Sequence, residues 1–183
     1  MKVVKWVILV IAVLLGLFIA VTFFLPKEYE MSRSIAIEAR PGIVYNQVAD
    51  LEAWQEWNPW SRMDPSIDIE YGEKRVGVGA SYSWEGETAG SGTMEIVEAH
   101  PPLLVEYHLE FGGYEDTPST SRILITPDPE GGPTEVTWTF EGSVGDQFFA
   151  RWMSVMIDSL VGKSYEEGLQ ALKKRAEHVE EQR

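Results

Sequence analysis

The stretch from Trp6 to Leu25, WVILVIAVLLGLFIAVTFFL, constrains this chain more than any other, because its 20 residues carry no charge and only one hydroxyl, on Thr22. At about 1.5 Å of rise per residue, roughly 20 apolar residues span the hydrocarbon core of a bilayer as a helix. Lys2 and Lys5 precede the run, Trp6 stands where an interfacial aromatic belongs, and Pro26 and Lys27 close it. A secretory signal would have a shorter apolar core, about 7–15 residues, ending in a small-x-small site. The one candidate for such a site, Ala20–Val21–Thr22, is followed by more apolar residues. The reading is therefore an uncleaved single-pass anchor through residues 6–25, with a signal peptide or a buried soluble helix as alternatives. Lys2, Lys5 and the α-amino group favour an N-terminus inside, placing the remainder outside the cytoplasm, while Lys27 and Arg33 weigh the other way.

The chain beyond the anchor has the length of one ordinary domain, so the expected division is 1–27 and 28–183. The formal net charge of −14, from 29 acidic and 15 basic residues, excludes nucleic acid as a partner, since that affinity rests on Lys and Arg neutralising phosphates. The absence of cysteine removes disulfides, thiolate metal sites and a Cys nucleophile. His100, His108 and His178 are the only histidines, and no two are spaced as helical metal ligands. No metal, cofactor or catalytic residue is expected, and no protein partner is indicated.

Periodicity orders the rest. Glu28 to Ala39 places Tyr29, Met31, Ile35 and Ile37 on one parity, as in a strand. Pro41 suits a first helical turn, and Ile43, Val44, Val48, Leu51 and Trp54 follow at helical spacing. EWNPWSRMDP reads as a loop or a broken second helix. Six strands come next: 67–71, 80–84, 93–99, 103–111, 120–126 and 135–141. From about Asp146 the period returns to helical, with Phe149, Trp152, Met153, Met156, Ile157, Leu160 and Val161 continued by Tyr165, Leu169, Leu172, Ala176 and Val179. Gly162 and Gly168 weaken that helix by about 1 kcal/mol each relative to Ala. Strands joined by short turns pair antiparallel, and a sheet with one apolar face needs a cover, for which the last helix carries the matching stripe.

This order, with RSIAIEARPGIVYNQVADLEAWQEWNPW (33–60), VGASYSWEG (78–86) and GTMEIVEAHPPLLVEYHLEF (92–111), resembles the START-like, or SRPBCC, superfamily in its polyketide cyclase/dehydrase-type branch. The resemblance implies an α+β helix-grip fold: a curved antiparallel sheet of about seven strands around a long C-terminal helix, here preceded by one transmembrane helix. It also implies a cavity between sheet and helix that binds apolar or amphipathic molecules.

The residues expected to line that cavity are Trp54, Trp57 and Trp60 of the loop, the strand residues Tyr82, Trp84, Tyr107, Leu109, Phe111, Trp138 and Phe140, and Phe149, Trp152, Met153 and Met156 of the helix. Aromatic rings also fill ordinary cores, so the same set is consistent with a packed interior. His108 falls on the outer parity with Glu106 and Glu110. Arg33 shares parity with Ile35 and Ile37, which suits either a cavity-mouth cation or an edge salt bridge. The expectation is a membrane-tethered domain binding a lipid-, isoprenoid- or polyketide-like molecule. A protein-interaction module with a filled core and a cyclase or dehydratase are the alternatives.

Overall fold

The computed structural model describes residues 2–113 and 117–183; Met1, with the α-amino group of the orientation argument, and residues 114–116 lie outside the described structure. Helix α1 (Lys2–Phe24) is followed by strand β1 (Glu28–Ile37) and three short helices: α2 (Pro41–Ala49), α3 (Leu51–Gln55) and α4 (Trp60–Met63). Strands β2 (Asp68–Tyr71), β3 (Ser81–Gly86), β4 (Gly90–His100), β5 (Leu104–Phe111), β6 (Ser119–Thr126) and β7 (Thr134–Ser143) lead to the long helix α5 (Arg151–Glu181). The seven strands form one antiparallel sheet in the order β1-β7-β6-β5-β4-β3-β2. Six of them form a meander, and β1 returns to pair with β7. The α+β helix-grip expectation holds. EWNPWSRMDP resolves into a turn directly after α3 and the one-turn helix α4.

Alternation along the strands sets the two faces. Met94 and Ile96, Val105 and Tyr107, Ile123 and Ile125, and Val136, Trp138 and Phe140 point inward and are buried. A register shift between Ile96 and Glu98 bends β4 locally. The core closes where Tyr165, Leu169, Leu172 and Ala176 of α5 meet this face, joined by Ile43, Val44 and Val48 of α2 and Leu51 of α3. Asp50 caps α3, its carboxylate accepting from the Glu52 and Ala53 amides.

Two glycines that weaken α5 have packing reasons. A Cβ on Gly168 would stand 2.8 Å from the Trp138 ring, and one on Gly162 would meet the Arg33 guanidinium. Arg33 does point to the inner side of the edge strand, opposite Trp138, but it reaches Asp158 at 2.7 Å and Glu166 at 2.8 Å on α5. It ties the helix to the sheet edge and does not face the cavity. His108 is on the outer surface, 3.6 Å from Glu110.

The apolar stripe of α5 divides into two halves. From Gly162 onward it packs tightly on the sheet, and before that Ile157 and Val161 are half-buried on the same side; Met153, Met156 and Leu160, with Phe149 just ahead of the helix, remain exposed.

Candidate functional site: an aromatic cavity under the long helix

Between the sheet, the α3–α4 segment and the first half of α5 lies a cavity of about 430 Å³. That is the size of a pocket for a small molecule. Its floor is an aromatic cluster centred on Trp138. The Trp138 ring stacks on Tyr165 at 3.9 Å between centroids and takes the edges of Trp54 and Trp60 at 5.4 and 5.8 Å. Tyr82, Trp84, Phe111 and Phe140 continue the wall along the sheet, each tilted or edge-on to a neighbour, the arrangement that ring quadrupoles favour. Trp84 lies across from Gly92 on β4, where a side chain would collide with its ring. Met153, Ile157 and Val161 of α5 form the opposite side.

Nine of the residues singled out from the sequence line this space: Trp54, Trp60, Tyr82, Trp84, Leu109, Phe111, Trp138, Phe140 and Met153. Five do not. Trp57 and Tyr107 are fully buried behind the wall, because each sends its polar atom to a backbone carbonyl away from the cavity. The Trp57 indole donates to Gln47 O at 2.9 Å, and the Tyr107 hydroxyl donates to Val48 O at 2.7 Å. Trp152 turns away to stack on Phe18 of α1 at 5.2 Å, while Phe149 and Met156 face outward. Tyr29, Gln55 and Met94 line the cavity and were missed. For Tyr29 a signal existed, since it shares parity with Met31 on β1; Gln55 carries none, because its placement depends on bonds made by the folded loop.

The polar lining sorts into satisfied and unsatisfied groups. The Tyr29 hydroxyl and Ser119 Oγ share a hydrogen bond of 2.7 Å, and the Trp138 indole donates to Ser121 Oγ at 2.7 Å. Gln55 Oε1 accepts from Asn58 Nδ2 at 2.8 Å and from Ser61 Oγ at 2.7 Å, which fixes its amide. Gln55 Nε2 and Trp54 Nε1 are buried with no protein acceptor. Both lean toward the Tyr82 phenol without reaching hydrogen-bond geometry, and they oppose the burial that pushes this phenol up to about 12. Tyr82 is half-buried by surface, but its hydroxyl end is deep enough for that burial to dominate. Burial also raises Tyr165 and Tyr29, with hydrogen bonds from Ser121 and Ser119 acting the other way. Among the described residues, no carboxylate, imidazole, ammonium or guanidinium lines the cavity, and no cluster of His, Asp and Glu could hold a metal ion.

The rim is held by Asp64, the C-cap of α4, itself only 3% exposed. Its carboxylate accepts from the Ser66 hydroxyl and the Thr88 and Ala89 amides, tying α4 to the β3–β4 turn. These bonds, the Ser66 hydroxyl first, hold the carboxyl well below the usual carboxylate range.

Solved structures repeat this architecture. A protein of unknown function from Staphylococcus aureus, SA2116, superposes with a TM-score of 0.62 at 12% identity, covering 85% of this chain and 97% of its own. Norcoclaurine synthase from Thalictrum flavum, a point mutant in complex with a transition-state analogue, gives 0.58 at 15% identity, covering 81% and 94%. The Aha1 dimer from Colwellia psychrerythraea gives 0.56 at 16% identity, covering 81% and 96%. At such identities the likeness establishes the fold alone. No curated protein matches the chain by sequence. Residues 28–177 match the family described as polyketide cyclase/dehydrase and lipid transport, and the chain belongs to that family.

Proposed function

We propose that this chain is a membrane-anchored domain (anchor 1–27, helix-grip domain 28–183) that binds an uncharged amphipathic molecule bearing an acceptor oxygen, such as an isoprenoid or polyketide with a carbonyl or quinone-like head. The observation that carries this is an aromatic cavity with no charged lining among the described residues, beside two donors without a protein acceptor, Trp54 Nε1 and Gln55 Nε2. A buried unpaired donor costs about 1–3 kcal/mol, and an acceptor on the ligand removes that cost. Among the described lining residues a carboxylate or phosphate head would find no counter-charge and would enter at a much larger penalty. The family's hydrophobic-ligand fold supports the same reading.

Support for an anchor comes from α1, in which Val3–Phe24 has the length and composition to cross a membrane. Length and composition alone also fit a signal sequence. An uncleaved helix is favoured because its end is built into the domain: Trp152 Nε1 donates to Thr22 Oγ1 at 3.0 Å, and Arg151 donates to Phe23 O at 3.0 Å. A buried core helix does not fit, since the side chains of α1 are exposed along most of its length. The lysines before the run favour the domain on the extracytoplasmic side.

An interaction module with a filled core fits the open cavity poorly. A cyclase or dehydratase needs a group that titrates near neutrality, and among the described residues the titratable groups on this lining are tyrosines raised by burial.

Native mass spectrometry of the full chain, released from host membranes, tests the proposal. The expected result is an adduct of a neutral lipid-like molecule, lost in Gln55→Glu, which keeps the acceptor oxygen for Asn58 and Ser61 but replaces the free donor. A clean unliganded mass, or an adduct that survives Gln55→Glu unchanged, counts against it.

A further inference from the structure

We infer that the first three turns of α5 lie in the lipid surface beside the anchor, so that the cavity opens toward the bilayer. The inference rests on α1 spanning the membrane. Phe18 stands six residues before the end of α1, about 9 Å along its axis. If α1 spans, Phe18 is within the apolar layer, and the Trp152 ring stacked flat against it shares that depth. Phe23 likewise meets Phe148 edge-on at 5.5 Å. The start of α5 is thus pinned at the level of lipid by contacts with the anchor.

What α5 presents there is apolar. Met153, Met156 and Leu160 fall within about a sixth of the helix circumference at 3.6 residues per turn, and Phe149 leads into the same stripe. They are 48, 47, 53 and 72% exposed, respectively. Such a stripe beside a membrane span matches a helix lying in the interface plane. Lys163, whose side chain is 84% exposed, follows on nearly the same face one turn later, where a cation can reach the headgroup layer. Asp158 is on the opposite side of the helix, held by Arg33.

The stripe lies between two other faces of α5. On one side Trp152 packs on the anchor; on the other Ala150, Ile157 and Val161 line the cavity. Met153 belongs to both stripe and cavity wall. Lipid against the stripe is therefore one side chain away from the cavity, and an apolar ligand passes between them without crossing water. With a net charge of −14, attraction to anionic lipid does not drive this docking, so neutral lipid suffices.

The cysteine-free chain allows a direct test. Single-cysteine variants of the full chain, at Val10, Phe24, Met156, Leu160 and the outer-face Leu124, are labelled with an environment-sensitive fluorophore. They are then reconstituted in phosphatidylcholine nanodiscs containing nitroxide-labelled lipid. The expected result is quenching at Met156 and Leu160 comparable to that at Phe24, with Leu124 unquenched. If Val10 is quenched while Met156 and Leu160 behave like Leu124 and are open to a water-soluble quencher, the anchor stands and the docking is overturned. If those two sites are shielded from both quenchers, a second copy or another protein covers the stripe, which also overturns it. If Val10 is not quenched by lipid, the anchor reading fails and the docking with it.

Discussion

The Trp138 ring stands 2.8 Å from the position a Cβ would take on Gly168, so the floor of the cavity and the spine of α5 touch only because that residue has no side chain. Adding the methyl group gains about 1 kcal/mol of helix propensity but forces the ring off its stack with Tyr165, an overpacking cost of typically 1–3 kcal/mol. Gly168→Ala is therefore expected to lower the thermal midpoint of the full chain in detergent. Gly162→Ala provides the comparison. It meets the side-chain ends of the Arg33–Asp158 ion pair, where such pairs contribute about 0–1 kcal/mol, so its effect is expected to be near zero. Equal losses from both variants would contradict this account.

Tyr107 separates stability from binding. Its hydroxyl donates to Val48 O in a fully buried setting, tying β5 to α2. Tyr107→Phe leaves that carbonyl unpaired, at about 1–3 kcal/mol. Tyr107 is behind the cavity wall, so adduct occupancy in native mass spectrometry is expected to stay at the wild-type level while the denaturation midpoint drops. A selective loss of adduct would instead place Tyr107 at the ligand.

Asp64 makes the fold acid-sensitive. Its folded pKa is depressed, so its contribution is complete above the ordinary value of about 4 and is lost as pH falls through the lower folded value. The thermal midpoint is expected to be insensitive to this group from neutral pH down to about 4 and to fall below that. Asp64→Asn, which cannot supply a charged acceptor to Ser66, Thr88 and Ala89, is expected to lower the midpoint at neutral pH and to flatten the acid limb. An acid limb unchanged in that variant would assign the sensitivity to other carboxylates.

Tyr82 contributes to the alkaline side, together with the other buried tyrosines. Its folded pKa is raised to about 12, above the unfolded value near 10. Its contribution is therefore full below pH of about 10 and is lost as pH rises through the folded value. Between pH of about 5 and 9 no group among the described lining residues is expected to change charge, so adduct occupancy should be flat across that range. A step near neutrality would reveal a carboxylate or imidazole in the cavity and revive an acid–base role.

How much of this was legible beforehand depends on what each pattern encodes. Alternation in 103–111 and 135–141 placed Val105, Leu109, Phe111, Trp138 and Phe140 on the inner face, since neighbouring side chains of a strand must point oppositely. It could not separate Tyr107 from Leu109, which share a parity. One is behind the wall because its hydroxyl finds Val48 O, and the other borders the space. Helical spacing ran unbroken from Phe149 to Leu172 and implied one continuous packed face. That spacing records only that a face is apolar, not what covers it. The sheet covers Tyr165, Leu169 and Leu172, while Met156 and Leu160 are left outside.

The sequence alone determined the apolar helix, the order of strands and helices, and the exclusion of disulfide and thiolate-metal chemistry, because these follow from composition and from periods of two and 3.6 residues. The tertiary structure decided which rings enclose a cavity, which donors are left unpaired at Trp54 and Gln55, and that Trp152 meets Thr22 across 130 residues of chain. Those outcomes are set by contacts between distant segments, and no local pattern carries the distance between two side chains that only folding brings together.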